Sequence, residues 1–243
     1  MLGTLCTLIT ALTCVSGVTV VTQKPPAVTV RKGETATLDC NLGTVQNSAA
    51  RWYKQVPGGV PQYVLQWYYY SWTSVKYGSG YFSPKFTSDH QSISDYSFII
   101  NNVEVDSAVY YCKTNDYSVD EWAFGPGNKL IVTDGDLATP AVTLFPPSTE
   151  DLKSSRATLV CLTSNLSQKS KGLADVSWMS NGESVTEDVS TSPAEQQPDK
   201  TFKISSYLTI QTADWDKDLL FTCKVLLGST FSEKEIRKTS CSL

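Results

Sequence analysis

From Val18 to Thr133 the apolar residues fall in short runs that alternate with polar ones and are broken by turn residues. Thr35, Thr37 and Asp39 alternate with Ala36, Leu38 and Cys40, the period-two pattern of a strand with one buried face. In the run Asp106 to Cys112 the same alternation sends Tyr110 and Cys112 inward and therefore turns Tyr111 outward. Similar runs return at Ala157 to Cys161, Val176 to Trp178 and Leu219 to Val225. Many short strands at this spacing predict an all-β chain of two sandwich domains. Between them, residues 134–140 interrupt the alternation with small residues and Pro140, and are read as a linker. The domains are then 18–133 and 141–243. A Cys, a Trp and a second Cys occur in order in each of them: Cys40, Trp52 and Cys112, then Cys161, Trp178 and Cys223.

The first seventeen residues follow a different pattern. They are apolar, end in small residues and place Val15 and Gly17 at the −3 and −1 positions of a cleavage site, so residues 1–17 are read as a secretory signal peptide without the usual basic start. The run is too short and too rich in Thr to span a bilayer, and no later segment approaches eighteen consecutive apolar residues. A secreted protein with no membrane span of its own is expected. Removal of Cys6 and Cys14 with this segment leaves the two Cys–Trp–Cys sets and an odd Cys241.

Composition changes the picture little but excludes several functions. The chain has 243 residues, a formal charge of −4 and only 18% charged residues, with Lys and Arg scattered, so a nucleic acid partner is not expected. His90 is the only histidine, in what reads as a polar turn, and has no paired ligand spacing. No nucleophile motif surrounds a serine, and no Gly-rich phosphate loop or metal-ligand cluster is present, so neither enzyme activity nor a cofactor is expected.

Four motifs carry a resemblance: Trp52-Tyr53-Lys54-Gln55, the Asp106 to Cys112 run, Phe124-Gly125-Pro126-Gly127, and Leu144-Phe145-Pro146-Pro147-Ser148. Together they resemble an immunoglobulin light chain, with a variable domain followed by one constant domain. The stretch from Tyr77-Gly78-Ser79-Gly80 through Ser83-Pro84-Lys85-Phe86 further resembles sigma-type light chains of cold-blooded vertebrates. The resemblance implies inter-sheet disulfides Cys40–Cys112 and Cys161–Cys223, each with its Trp packed against it. It implies a heavy-chain partner facing Tyr53, Gln55, Pro61, Tyr63, Tyr111 and Phe124 in the first domain. In the second, where Thr143 replaces a larger apolar residue, it implies contact through Phe145 and Val160. Cys241, on a flexible tail, becomes the covalent link to that partner, with a capped free thiol as the alternative. Without a partner, the exposed faces are expected to self-associate.

The same resemblance places hypervariable loops at Asn41 to Arg51, Trp67 to Tyr77 and Lys113 to Ala123. The aromatic second loop offers Tyr68, Tyr70 and Trp72 for antigen contact, while alternate rings such as Trp67 and Tyr69 are equally suited to packing inward. The third offers Asp116, Tyr117, Asp120 and Glu121, whose acids suit a basic or hydroxyl-bearing epitope, with solvated charges that keep the loop soluble as the favoured alternative; the antigen itself is not encoded in any motif. Asp106 sits at the turn to which Tyr110 would bond, with Lys85 as its cationic partner or, alternatively, only a solvated surface pair of little worth, and Phe221 lacks the hydroxyl for such a corner in the second domain. Asn165-Leu166-Ser167 is an N-glycosylation sequon. An antigen-recognition subunit is the leading reading. A non-antigen-binding module, such as a surrogate chain or adhesion fragment, is its alternative, and a T-cell receptor chain would be expected to continue into a membrane span.

Overall fold

The computed structural model describes residues 20–44, 49–68, 75–116, 121–135, 138–170 and 172–241. The expected signal peptide, with Tyr70, Trp72, Tyr117 and Asp120, lies outside the described residues; of Asp116 and Glu121 only the backbone is described.

The first unit comprises β1 (Thr22–Lys24), β2 (Ala27–Arg31), β3 (Ala36–Asn41), β4 (Ala49–Gln55), β5 (Gln62–Tyr68), β6 (Lys76–Tyr77), β7 (Phe86–His90), β8 (Asp95–Ile100), β9 (Ala108–Asp116), β10 (Glu121–Phe124) and β11 (Asn128–Thr133). One sheet runs β1-β3-β8-β7. The other runs β2-β11-β9-β4-β5-β6, with β10 extending β9. Pro25 and Pro26 separate β1 from β2 and offer no N–H to a ladder, so the chain leaves the first sheet there and joins the second, where β2 lies parallel to β11.

The alternation in β3 is realised: Ala36, Leu38 and Cys40 are buried while Thr37 and Asp39 are exposed. Cys40 and Cys112 are joined across the sheets, and Trp52 lies opposite Cys112 in the ladder. The Trp52 ring stacks on Phe98 at 5.1 Å, and Phe98 meets Tyr110 at 5.5 Å, so the core is a column of rings beside the disulfide. The Tyr110 hydroxyl donates to the Asp106 carbonyl at 2.8 Å, the corner that its position two before Cys112 predicts. Lys85 bonds the Asp106 carboxylate at 2.7 Å, and Lys54 stands 3.6 Å from its other oxygen. The Asp106 side chain is only 5% exposed, so this is a buried cluster rather than a solvated pair.

The second unit comprises β12 (Ala141–Phe145), β13 (Arg156–Leu166), β14 (Ala174–Ser180), β15 (Glu183–Val185), β16 (Val189–Thr191), β17 (Glu195–Gln196), β18 (Phe202–Gln211), β19 (Phe221–Leu227) and β20 (Thr230–Ile236), with the short helix α1 (Thr212–Asp216) before β19. A β12-β13-β18-β16 sheet, with β17 also on β18, faces a β15-β14-β19-β20 sheet across the Cys161–Cys223 bridge. Trp178 is buried beside that bridge and its Nε1–H donates to Ser206 Oγ at 2.9 Å. Phe221 has no hydroxyl to offer, and its ring stacks instead on Trp215 at 6.3 Å.

The two units touch. Ile131 of β11 is fully buried in a cluster with Leu166, Leu173, Phe202, Ile204 and Leu227 of the second unit, and Lys129 pairs with Asp175 beside it.

Candidate pairing and binding faces

Strand β9 is the spine of the first face. Since Cys112 points to the core, Tyr111 and Lys113 point away from it. The register sets Tyr53 opposite Tyr111, Arg51 opposite Lys113, and Phe124 on the far side of Lys113. Tyr53 meets Tyr63 at 5.7 Å and Phe124 at 6.2 Å. Phe124 is 54% exposed and Trp122, two residues earlier on β10, 53% exposed. Tyr53, Tyr63, Tyr111 and Phe124 thus converge on one aromatic surface, with Pro61 exposed where β5 begins.

Two local features position these rings. Val64 and Leu65 are both fully buried, a pair that strict alternation forbids, and the β4–β5 register shifts between Trp52 and Tyr53 to allow it. The shift places Tyr63 opposite Tyr53, and the Tyr63 hydroxyl donates to the Lys76 carbonyl at 3.1 Å. Burial pushes the Tyr63 phenol up to about 12. In the Phe-Gly-Pro-Gly run, a Cβ on Gly125 would fall 2.3 Å from Gln23 Oε1, and Gly127 has φ +91°. The two glycines therefore admit the buried Gln23 side chain, which accepts from the N–H groups of Cys112 and Gly127 at 3.0 and 3.1 Å and donates to the Tyr110 carbonyl at 3.0 Å. That lock fixes the strand that carries Phe124. Gln55 serves its own loop, donating to the Gly59 carbonyl at 2.9 Å.

Among the residues expected to contact antigen, Tyr68 ends β5 half-buried. Trp67 packs inward against the core and 5.4 Å from His90. His90 itself is not in a turn. It closes β7, where the Trp67 ring packs on one side of it and Tyr96 lies at 6.1 Å.

The second unit presents its own face. Phe145, Val160 and Tyr207 lie side by side across β12, β13 and β18, with Phe145 44% and Tyr207 41% exposed. Thr143 is exposed on the same side of β12. Asn165 is exposed at φ +62°, inside the register shift between Thr163 and Leu166, where β13 bulges. Cys241 is a free, exposed thiol closing a 3-10 turn over Lys238–Cys241. The turn is tethered rather than a free tail: Thr239 bonds both Asp218 carboxylate oxygens through its N–H and hydroxyl at 2.8 and 2.9 Å, and Lys238 bonds Asp216 at 2.8 Å. The Thr239 bonds hold the Asp218 carboxyl below the usual carboxylate range.

The sequence reading did not single out Arg51, Trp122, Tyr207 or Gln23, nor Lys113 beyond its place in a loop. Tyr207 had a signal, as an aromatic residue in an outward position of a strongly alternating run.

Residues 23–133 match the model of the immunoglobulin V-set domain, and residues 142–229 match that of the immunoglobulin C1-set domain. The chain is 29% identical over 194 residues to a viral T-cell receptor beta chain-like protein of Feline leukemia virus. That similarity takes in 76% of this chain, which spans 58% of the length of the relative.

Proposed function

For a chain made of an immunoglobulin V-set domain followed by a C1-set domain, each with its own disulfide, we infer the role of one half of a two-chain antigen receptor, of the antibody light-chain type. The carrying observation is the pair of exposed aromatic faces, one on each domain. Tyr53, Tyr63, Tyr111 and Phe124 form the first; Phe145, Val160 and Tyr207 form the second. Half-buried side chains grouped around the exposed rings of Phe124, Phe145 and Tyr207 are suited to burial against a partner, with the well-packed aromatic centre carrying most of the affinity. A heavy chain that covers both faces would bring its loops beside the ends of β4, β5, β9 and β10, and antigen would bind there. Cys241, exposed beyond the last strand, is the group to close a disulfide with that chain. Secretion after loss of residues 1–17 and glycosylation at the exposed Asn165 belong to the same reading.

The similarity to a T-cell receptor beta-like protein favours a second reading, in which the partner is an alpha-type chain. Co-expression with an antibody heavy chain or with an alpha-type chain, followed by sizing and non-reducing electrophoresis, separates the two. A disulfide-linked heterodimer with the heavy chain, lost in Cys241→Ser, is expected. A stable monomer that ignores both partners would overturn the assignment.

A further inference from the structure

At the centre of the first face stands a charge arrangement that the aromatic surface does not require. Arg51 and Lys113 are direct cross-strand neighbours, and like charges in that relation repel. Arg51 Nε donates to Gln66 at 3.0 Å, and its guanidinium lies 5.3 Å from the Trp122 ring centre. Lys113 Nζ sits 3.8 Å from the Trp122 centre, 4.8 Å from Phe124 and 5.8 Å from Tyr53. Rings stabilise a cation without neutralising it. Among the described residues no carboxylate pairs with either cation, whereas Lys129, Lys153, Arg156, Lys217 and Lys238 each have one.

Covering this face with an apolar surface would strip water from two cations and leave them unpaired, a costly outcome. A carboxylate placed between them would answer both charges, with two oxygens for the guanidinium fork and the ammonium. A second copy of this chain brings no such group in its described pairing residues. In a two-fold arrangement that sets this part of the face against itself, Arg51 and Lys113 would meet cations or rings.

We propose that Arg51 and Lys113 act as a charge key in the pairing face, selecting a variable-type domain that presents an Asp or Glu against them and rejecting a second copy of this chain. The proposal rests on the reading of this face as a pairing face. It adds partner choice, through an attractive contact with the right domain and a repulsive one with the wrong domain.

The test uses the full chain as bait for a displayed library of heavy-chain variable domains, whose retained members are sequenced. Wild-type bait is expected to enrich Asp and Glu at pairing-face positions by about tenfold over the input, the effect of one close charge pair. Lys113→Glu bait, whose acid pairs with its own Arg51 across the strands, is expected to flatten this, and bait carrying both Arg51→Glu and Lys113→Glu to reverse it toward Lys and Arg; melting curves of the three baits verify folding. In sedimentation of the chain alone, Lys113→Glu is expected to raise the dimer fraction, because pairing with its own Arg51 removes the repulsion between the two copies. Retained domains whose pairing-face charge is the same for all baits would overturn the proposal while leaving the pairing reading intact. So would acids enriched only in the loops that surround an antigen, or a wild-type chain that dimerises as readily as Lys113→Glu. Retention of no variable domain by any bait would overturn the pairing reading itself, and the key with it.

Discussion

Asp106 is held by four groups at once: the Lys85 ammonium, the more distant Lys54 ammonium, the Glu104 N–H at 2.9 Å and, through its carbonyl, the Tyr110 hydroxyl. Burial alone would raise its carboxyl, but the Lys85 and Glu104 bonds and the two lysine charges outweigh it and leave the group below its ordinary value. A lowered folded value means that the stabilisation is complete above the unfolded value, about 3.9, and is lost as pH falls through the folded one. Urea unfolding measured across pH 2 to 6 is therefore expected to show an acid limb below about pH 4, shallower in Asp106→Asn. Asp106→Ala strands two cations and is expected to cost about 3 kcal/mol, against about 1 kcal/mol for Tyr110→Phe. Burial lowers the Lys54 ammonium, with Asp106 opposing that shift. The corner and Lys85 were legible because Tyr110 stands at a fixed offset from Cys112. Lys54 was not, because only the β4–β9 register brings it opposite Tyr110. Gln23 was hidden for a related reason: a polar side chain is buried there only because Gly125 leaves room for it.

Within single elements, alternation was a faithful guide wherever one face meets a core and the other meets water. In β13 it reads through Ala157, Leu159, Cys161 and Thr163, and fails only at the bulge around Asn165. It is broken in β5 by Val64 and Leu65, whose adjacent burial is a property of the register shift rather than of either residue. Face membership was legible for Tyr111 and Phe124. The grouping of Phe145, Val160 and Tyr207 was not, since it depends on three strands being in register. If these faces bind a partner, Phe124→Ala should weaken association with the paired chain by about thirtyfold in surface plasmon resonance, as for a central aromatic anchor. Its melting temperature should stay within a degree or two, because the ring is more exposed than buried. Ser206→Ala tests a different element contact: it leaves the buried Trp178 N–H without its acceptor, at a cost of about 1 to 3 kcal/mol in denaturant unfolding.

In the whole molecule, the two sandwiches and their order were readable from the repeated Cys–Trp–Cys pattern, while their contact was not. A signal for the contact existed. Leu130, Ile131 and Val132 are all buried in one strand, which a sheet with a wet outer face does not allow; Leu130 and Val132 fill the first core, and Ile131 fills the space against the second unit. Ile131→Ala is expected to cost about 3 kcal/mol and, in calorimetry, to separate one unfolding transition into two, since it removes the buried group that the units share. The attachment also outlasts the covalent link between the units. The shared apolar cluster, the Lys129–Asp175 pair and the Ser229 N–H bond to Thr29 at 3.4 Å are all made by residues outside 134–140. A protease that cuts there would therefore yield a nicked protein that still elutes as one particle and comes apart only in denaturant.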